Sequence, residues 1–190
     1  MGVLLALARG IDRLNERIYG VIRWLTLAMI VVGAFNALAR YLTRYTGVSL
    51  ASNAYFDIQW YLFSLIFLLG AAYGLRHDVH VRVDVMYSRA TPRTRAWIDL
   101  AGTVLFLIPF CVMMLVTSWP AVRNSWAVRE ASPDPGGLVR YPIKTVILVC
   151  FSLLLLQALA QVITRVAALS GAAPLPGDGR PSPPAAPKSA

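Results

Sequence analysis

Residues 143–166 read IKTVILVCFSLLLLQALAQVITRV. Between Lys144 and Arg165 the run carries no charge, and its only polar side chains are Thr145, Ser152, Gln157, Gln161 and Thr164. A helix rises 1.5 Å per residue, so about 20 residues cross the ~30 Å hydrocarbon layer of a bilayer. An apolar block of that length is a membrane span. It also sets the solvent against which the rest of the chain is read.

Three further blocks have the same length and character. Residues 21–42 are interrupted only by Arg23, Asn36 and Arg40. Residues 56–75 are opened by Asn53 and Asp57, with Asn53 suited to an N-cap and Asp57 to the positive end of the helix dipole. Residues 97–119 contain Pro109, which removes a backbone hydrogen bond and should bend or loosen that helix, and end at Pro120. Composition agrees: 57% of the 190 residues are hydrophobic and 14% charged, with mean hydropathy +0.60, more apolar side chain than a soluble core of this size hides. The fold class expected is an all-α integral membrane protein with four transmembrane helices.

Residues 1–20 behave differently. Leu4, Leu7, Ile11, Leu14 and Ile18 alternate in steps of three and four, while Arg9, Asp12, Arg13, Glu16 and Arg17 occupy the other face. This predicts an amphipathic helix lying in the interface or against a partner helix. The apolar stretch is too short and too charged for a cleaved signal, and Ala6 breaks the myristoylation pattern. The domain plan is therefore an interfacial helix over 1–20, a four-helix domain over 21–168 and a tail over 169–190. That Pro/Ala-rich tail holds six of the twelve prolines, and its composition predicts disorder.

The net charge of +9 does not point to nucleic acid, because the basic residues punctuate apolar blocks without a basic and aromatic patch. They fit topology control and anionic lipid headgroups. The N-terminal segment, the 2–3 loop and the C-terminal end carry twelve Lys and Arg, and the 1–2 and 3–4 loops six. That bias places both termini in the cytoplasm. Trp24, Trp60, Trp97, Trp119 and Trp126 near the span ends read as an aromatic belt.

Polar residues at or near membrane depth are the functional candidates: Asn36 and Arg40 in the first span, Asp57 and Gln59 in the second, Asp99 in the third, Gln157 and Gln161 in the fourth. Most of the charged ones lie near span ends, where structural pairing is the reading preferred, and Arg40 with Asp57 is the pair expected across the first hairpin. Gly70-x-x-x-Gly74 reads as helix packing. Cys111 and Cys150 form no CxxC and read as small apolar fillers. His77 and His80, flanked by Asp78 and Asp84, lack a third ligand at a known spacing, so no metal is assigned. With no histidine inside a span and no phosphate loop or catalytic set, neither a cofactor nor an enzyme is expected.

Several stretches resemble the small permease subunit of tripartite ATP-independent periplasmic (TRAP) transporters. They are Asn36-x-x-x-Arg40-Tyr41, Asp57-Ile58-Gln59-Trp60, Leu69 to Tyr73, and His80-Val81-Arg82-Val83-Asp84. Glu130-Ala131-Ser132, Gly136-Gly137-Leu138, Lys144 and Leu156-Gln157 complete the likeness, which covers about residues 10–167. Asp57 and Val139 stand where the family pattern is expected to carry Glu and Pro. The resemblance implies a bacterial inner-membrane scaffold beside a large permease, which holds the substrate and sodium sites. A periplasmic binding protein would deliver an organic acid to that permease. Asn36, Arg40, Asp57, Gln59, Trp60, His80, Arg82, Asp84, Glu130, Lys144 and Gln157 are then candidates for internal structure or the partner interface. A membrane anchor for electron transfer and a stand-alone four-helix exporter are the alternatives.

Overall fold

The computed structural model describes residues 2–47, 52–77 and 90–172. Over these residues the chain forms four long helices: α1 (Gly2–Thr46), α2 (Asn53–Arg76), α3 (Pro92–Ala127) and α4 (Tyr141–Leu169). All four are long and apolar enough to cross a membrane. The four spans expected from hydropathy are there, each inside a longer helix. The tail beyond residue 172 and the His80–Asp84 stretch lie outside the described residues.

No separate interfacial helix precedes the first span; α1 runs unbroken for 45 residues. At 1.5 Å per residue that is about 68 Å, roughly twice the hydrocarbon thickness. The sequence offers no break: α1 has no proline, and Gly10 and Gly20 lower helix propensity by about 1 kcal/mol each without removing a hydrogen bond. The face turned to the bundle is not the leucine stripe. Ala8, Asn15, Ile22 and Asn36 are buried at multiples of seven residues, the repeat of a helix–helix seam. Leu4, Leu7 and Leu14 are exposed instead. The arm turns a partly polar edge inward because polar groups of α2 and α4 wait there, as described below.

Helix α4 is the packing centre, touching α1, α2 and α3, while α3 packs on α4. Its inward residues are mostly small: Cys150, Ala158, Ala160, Ala167 and Ala168 are buried. Small residues let helix backbones approach in a bilayer, where lipid tails are as apolar as leucine. Cys111 and Cys150 are free and buried, in keeping with apolar fillers. On α2 a Cβ at Gly70 would touch Ile22 of α1 at 3.9 Å, and Gly74 is buried, so the glycine pair serves packing.

The cap of helix α2 lies one residue before the expected Asn53. Ser52 is the N-cap, its hydroxyl accepting from the Ala54 N–H at 3.2 Å, and this frees Asn53 to bind elsewhere. In α3, Thr103–Leu107 form a π-helical turn just before Pro109, with the Ile108 N–H bonded to the Thr103 carbonyl. Widening one turn accommodates a proline ring that has no N–H and crowds the preceding turn. Pro120 does not end α3, which passes through it to Ala127. The 45-residue α1 is directly measurable: spin labels at Ala6 and Ile30 should give one narrow distance near 36 Å. A shorter or bimodal distribution would mean that the arm folds as its own helix.

Candidate functional site

The polar side chains gather at the two ends of the bundle. At the end formed by the first half of α1, the last turn of α2 and the second half of α4, Gln157 is the hub. Its oxygen accepts from Asn15 Nδ2 at 2.5 Å, and its Nε2 donates to Asp12 Oδ1 at 3.0 Å. Asn15 and Gln157 are 1% and 2% exposed, so neither amide can turn to water. Arg76 adds α2 to the cluster. It bonds Glu16 Oε1 at 2.6 Å and the Asp12 carbonyl at 3.0 Å, with its Nε 3.4 Å from the Asp12 carboxylate. His77 reaches Glu16 at 3.0 Å, and the Tyr19 and Tyr73 rings stack at 3.8 Å. Gln161 Nε2 donates to the Leu75 carbonyl at 2.8 Å, next to the α2 end where carbonyls lack helical partners. Asp99 of α3 pairs with Arg165 of α4 at 2.9 Å, both side chains largely covered.

At the opposite end the 3–4 loop folds back onto α2. Ala131 and Val139 form an antiparallel bridge, the Ser132 N–H bonds the Leu138 carbonyl at 2.9 Å, and the Arg140 N–H bonds the Glu130 carbonyl at 2.8 Å. Gly136 takes φ +73°, which a glycine adopts without strain. Three residues of α2 hold this turn at steps of four, which places them on one helix face. Asn53 donates to the Pro135 carbonyl at 3.2 Å, Asp57 accepts the Leu138 N–H at 2.8 Å, and Tyr61 donates to the Val139 carbonyl at 2.6 Å. Gly137 packs so closely that a Cβ there would lie 2.5 Å from Asp57 Oδ2 and from Ser132 Cβ. On the far side, the Glu130 carboxylate takes the Ser125 hydroxyl at 2.7 Å and the Lys144 ammonium, and Trp126 Nε1 donates to Thr145 at 2.9 Å.

The candidates read from the sequence divide accordingly. Gln157 stands at the centre of one clasp, and Asp57, Glu130 and Lys144 belong to the other. The expected Arg40–Asp57 pair does not form: Asp57 is 4% exposed beneath the loop, while the Arg40 guanidinium lies 4.8 Å above the Phe56 ring. A neutral backbone N–H outcompetes the cation because the carboxylate is roofed by the loop. Asn36 is buried with its Oδ1 unpartnered, Gln59 rests against Gly33, and Trp60 is 64% exposed. His80, Arg82 and Asp84 fall outside the described residues. Reading the sequence alone passed over Asn15, Tyr61 and Ser125; it marked Arg76 and His77 only as part of a polar loop cluster and Arg165 only as a topology charge. The i, i+4, i+8 spacing of Asn53, Asp57 and Tyr61 was the one available signal for the loop-binding face.

Four apolar helices tied at both ends by side-chain clasps define a small multi-pass helical membrane protein. Among the described residues, the polar groups of the two clasps are used between its own elements, and its outer faces are largely apolar. The family model described as tripartite ATP-independent periplasmic transporters, DctQ component, matches residues 29–168. The chain belongs to that family: it is the small membrane component of a TRAP transporter, a transport protein of the inner membrane and not an enzyme. The family's partners are the DctM permease and a periplasmic binding protein. No curated protein and no solved structure matches the chain. The matched region begins after Asp12, Asn15 and Glu16, so the α1 side of the first clasp lies before it.

The clasps are separately testable. Asn15→Leu and Gln157→Leu should each lower unfolding free energy in micelles by about 1–3 kcal/mol, because each strands a buried amide. The double change should cost less than the sum of the two; strictly additive costs would disprove the bond. Lys144, and then Ser125, hold the Glu130 carboxyl below its ordinary range. A carboxylate depressed on folding stabilises the folded form above its unfolded value of about 4.3, and this is lost as pH falls through the lower folded value. Trp126 emission should therefore stay flat above about pH 5 and change in acid. Glu130→Gln should remove that acid step.

Proposed function

We propose that this chain is the fixed membrane scaffold of its transporter, widening the static part of the large permease while that permease moves the substrate. The observation that carries this reading is the use made of the polar side chains. Asp12, Glu16, Arg76, Asp99, Arg165, Gln157, Asp57, Glu130 and Lys144 each bind another element of the same chain. A residue committed to holding two helices together is unsuited to taking up and releasing a substrate or ion at each cycle. The bundle thus has the character of a rigid body, clasped at both ends, with its unpartnered surface turned outward.

In this reading a periplasmic binding protein delivers an organic acid, the large permease carries it with sodium, and the small chain anchors that permease in the bilayer. The twelve-to-six distribution of Lys and Arg supports cytoplasmic termini. The 3–4 loop clasp would then lie on the periplasmic side, where the binding protein docks.

Reconstitution tests the division of labour. Proteoliposomes holding both membrane subunits should accumulate the organic acid when the binding protein and a sodium gradient are supplied. Liposomes with this chain alone should show no uptake, and those with the large permease alone should show far less. Uptake or export by this chain on its own would overturn the scaffold reading.

A further inference from the structure

The exposed face of α2 is not an ordinary lipid face. Phe56, Trp60, Phe63 and Phe67 follow one another at steps of four, three and four, and are 46, 64, 51 and 68% exposed. They form one stripe of large aromatic side chains, the residue type enriched at the anchoring points of protein interfaces. Beside the stripe an open cleft of about 480 Å³ runs between Met29 and Ile30 of α1 and Phe56, Trp60 and Phe63 of α2. The cleft is apolar but for the Gln59 amide and the indole N–H of Trp60.

Gln59 is half-buried in the second span, and among the described residues its amide has no hydrogen-bond partner. Its Nε2 rests against Gly33 of α1, so closely that a Cβ on residue 33 would collide with it. The missing side chain at Gly33 is thus what lets the amide enter the cleft. An amide at this depth needs a partner, because hydrocarbon offers neither donor nor acceptor. Acyl chains could fill the cleft but could not satisfy the amide; a helix with a polar side chain does both. The contrast is the cleft of about 410 Å³ between α3 and α4, lined by Leu115, Val116, Trp119, Leu148 and Ser152. A serine hydroxyl can turn back to a carbonyl of its own helix, so lipid suits that cleft without penalty.

We propose that the α1–α2 cleft is where the large permease seats a transmembrane helix, with a Ser, Thr, Asn or Gln of that helix bonded to Gln59. The inference rests on the scaffold reading above and adds the face and the chemistry of contact. It also constrains the end of the seated helix. Phe56 borders both this cleft and the one containing Arg40, and Arg40 lies over the Phe56 ring. An acidic side chain of the permease near that end complements the guanidinium.

The experiment uses the assembled complex of this chain with its large permease, carrying a benzoylphenylalanine photo-crosslinker in place of Phe63 or of Phe106. Phe106 is 75% exposed on α3, which packs on α4 rather than on the α1–α2 pair. An adduct with the large permease from position 63 and none from 106 is the expected result. An adduct from 106 alone, or from neither position while the two proteins still co-purify, overturns the docking face and leaves the scaffold reading intact. An adduct of twice this chain's mass from position 63 overturns it in favour of a second copy. Failure of the two proteins to co-purify removes the scaffold reading and this inference together.

Gln59→Leu should weaken the complex by about three- to fifteenfold in dissociation constant, the range for one interhelical hydrogen bond in a membrane, without lowering the thermal stability of the isolated chain. Gly33→Ala, which displaces the amide, should weaken it in the same direction. Unchanged affinity in Gln59→Leu overturns the role given to the amide.

Discussion

In hydrocarbon, apolar side chains gain nothing by leaving lipid for protein, so a helix bundle must be held by groups that lipid cannot serve. Gln157 is the clearest such group in this chain. It is 2% exposed, and it uses its amide oxygen on Asn15 and its amide nitrogen on Asp12. Through Asp12 and Glu16 the same cluster reaches Arg76, so α1, α2 and α4 converge on one polar knot. The rotation of each helix about its axis follows from that convergence. A turn of α1 by one residue would carry Asn15 away from Gln157 and strand two buried amides.

The second clasp applies the same physics to a loop. A hairpin loop at a membrane surface leaves backbone donors and acceptors to be satisfied. Asn53, Asp57 and Tyr61 satisfy three of them from one face of α2, and the Glu130 carboxylate ties the base of the loop to Lys144 at the start of α4. Clasps at both ends of a bundle limit splaying more effectively than either would alone. Such a body matches the fixed scaffold proposed above. The apolar middle then remains free for lipid on one side and for protein on another.

Much of this was legible in one dimension. Four spans could be placed from the apolar blocks, and Pro109 announced a disturbance in α3 that the π-helical turn then displayed. Gln157 stood out as a polar residue inside a span and Glu130 and Lys144 through the family resemblance, and the structure places each in a clasp. What misled was reasoning about neighbours across space. Arg40 and Asp57 look like partners because opposite charges near one end of a hairpin attract. The 3–4 loop, some eighty residues further along, supplies the Leu138 N–H that Asp57 binds instead. The inward face of α1 likewise depends on residues distant in sequence. An amphipathic stripe shows which side of the helix is apolar, and Arg76, His77 and Gln157 are what draw its polar edge inward.

The sequence by itself determined the solvent of this protein, the number of its spans and its family. Span length and hydropathy are properties of contiguous residues, and family motifs are read residue by residue. Only the tertiary structure decided that α1 is one continuous helix with a polar seam and that α4 is the centre of packing. It also decided that Asp57 belongs to a loop rather than to Arg40. Those outcomes depend on the depth and rotation of one helix against another. In a membrane, where apolar contact is nearly indifferent, depth and rotation are set by which few polar groups can meet.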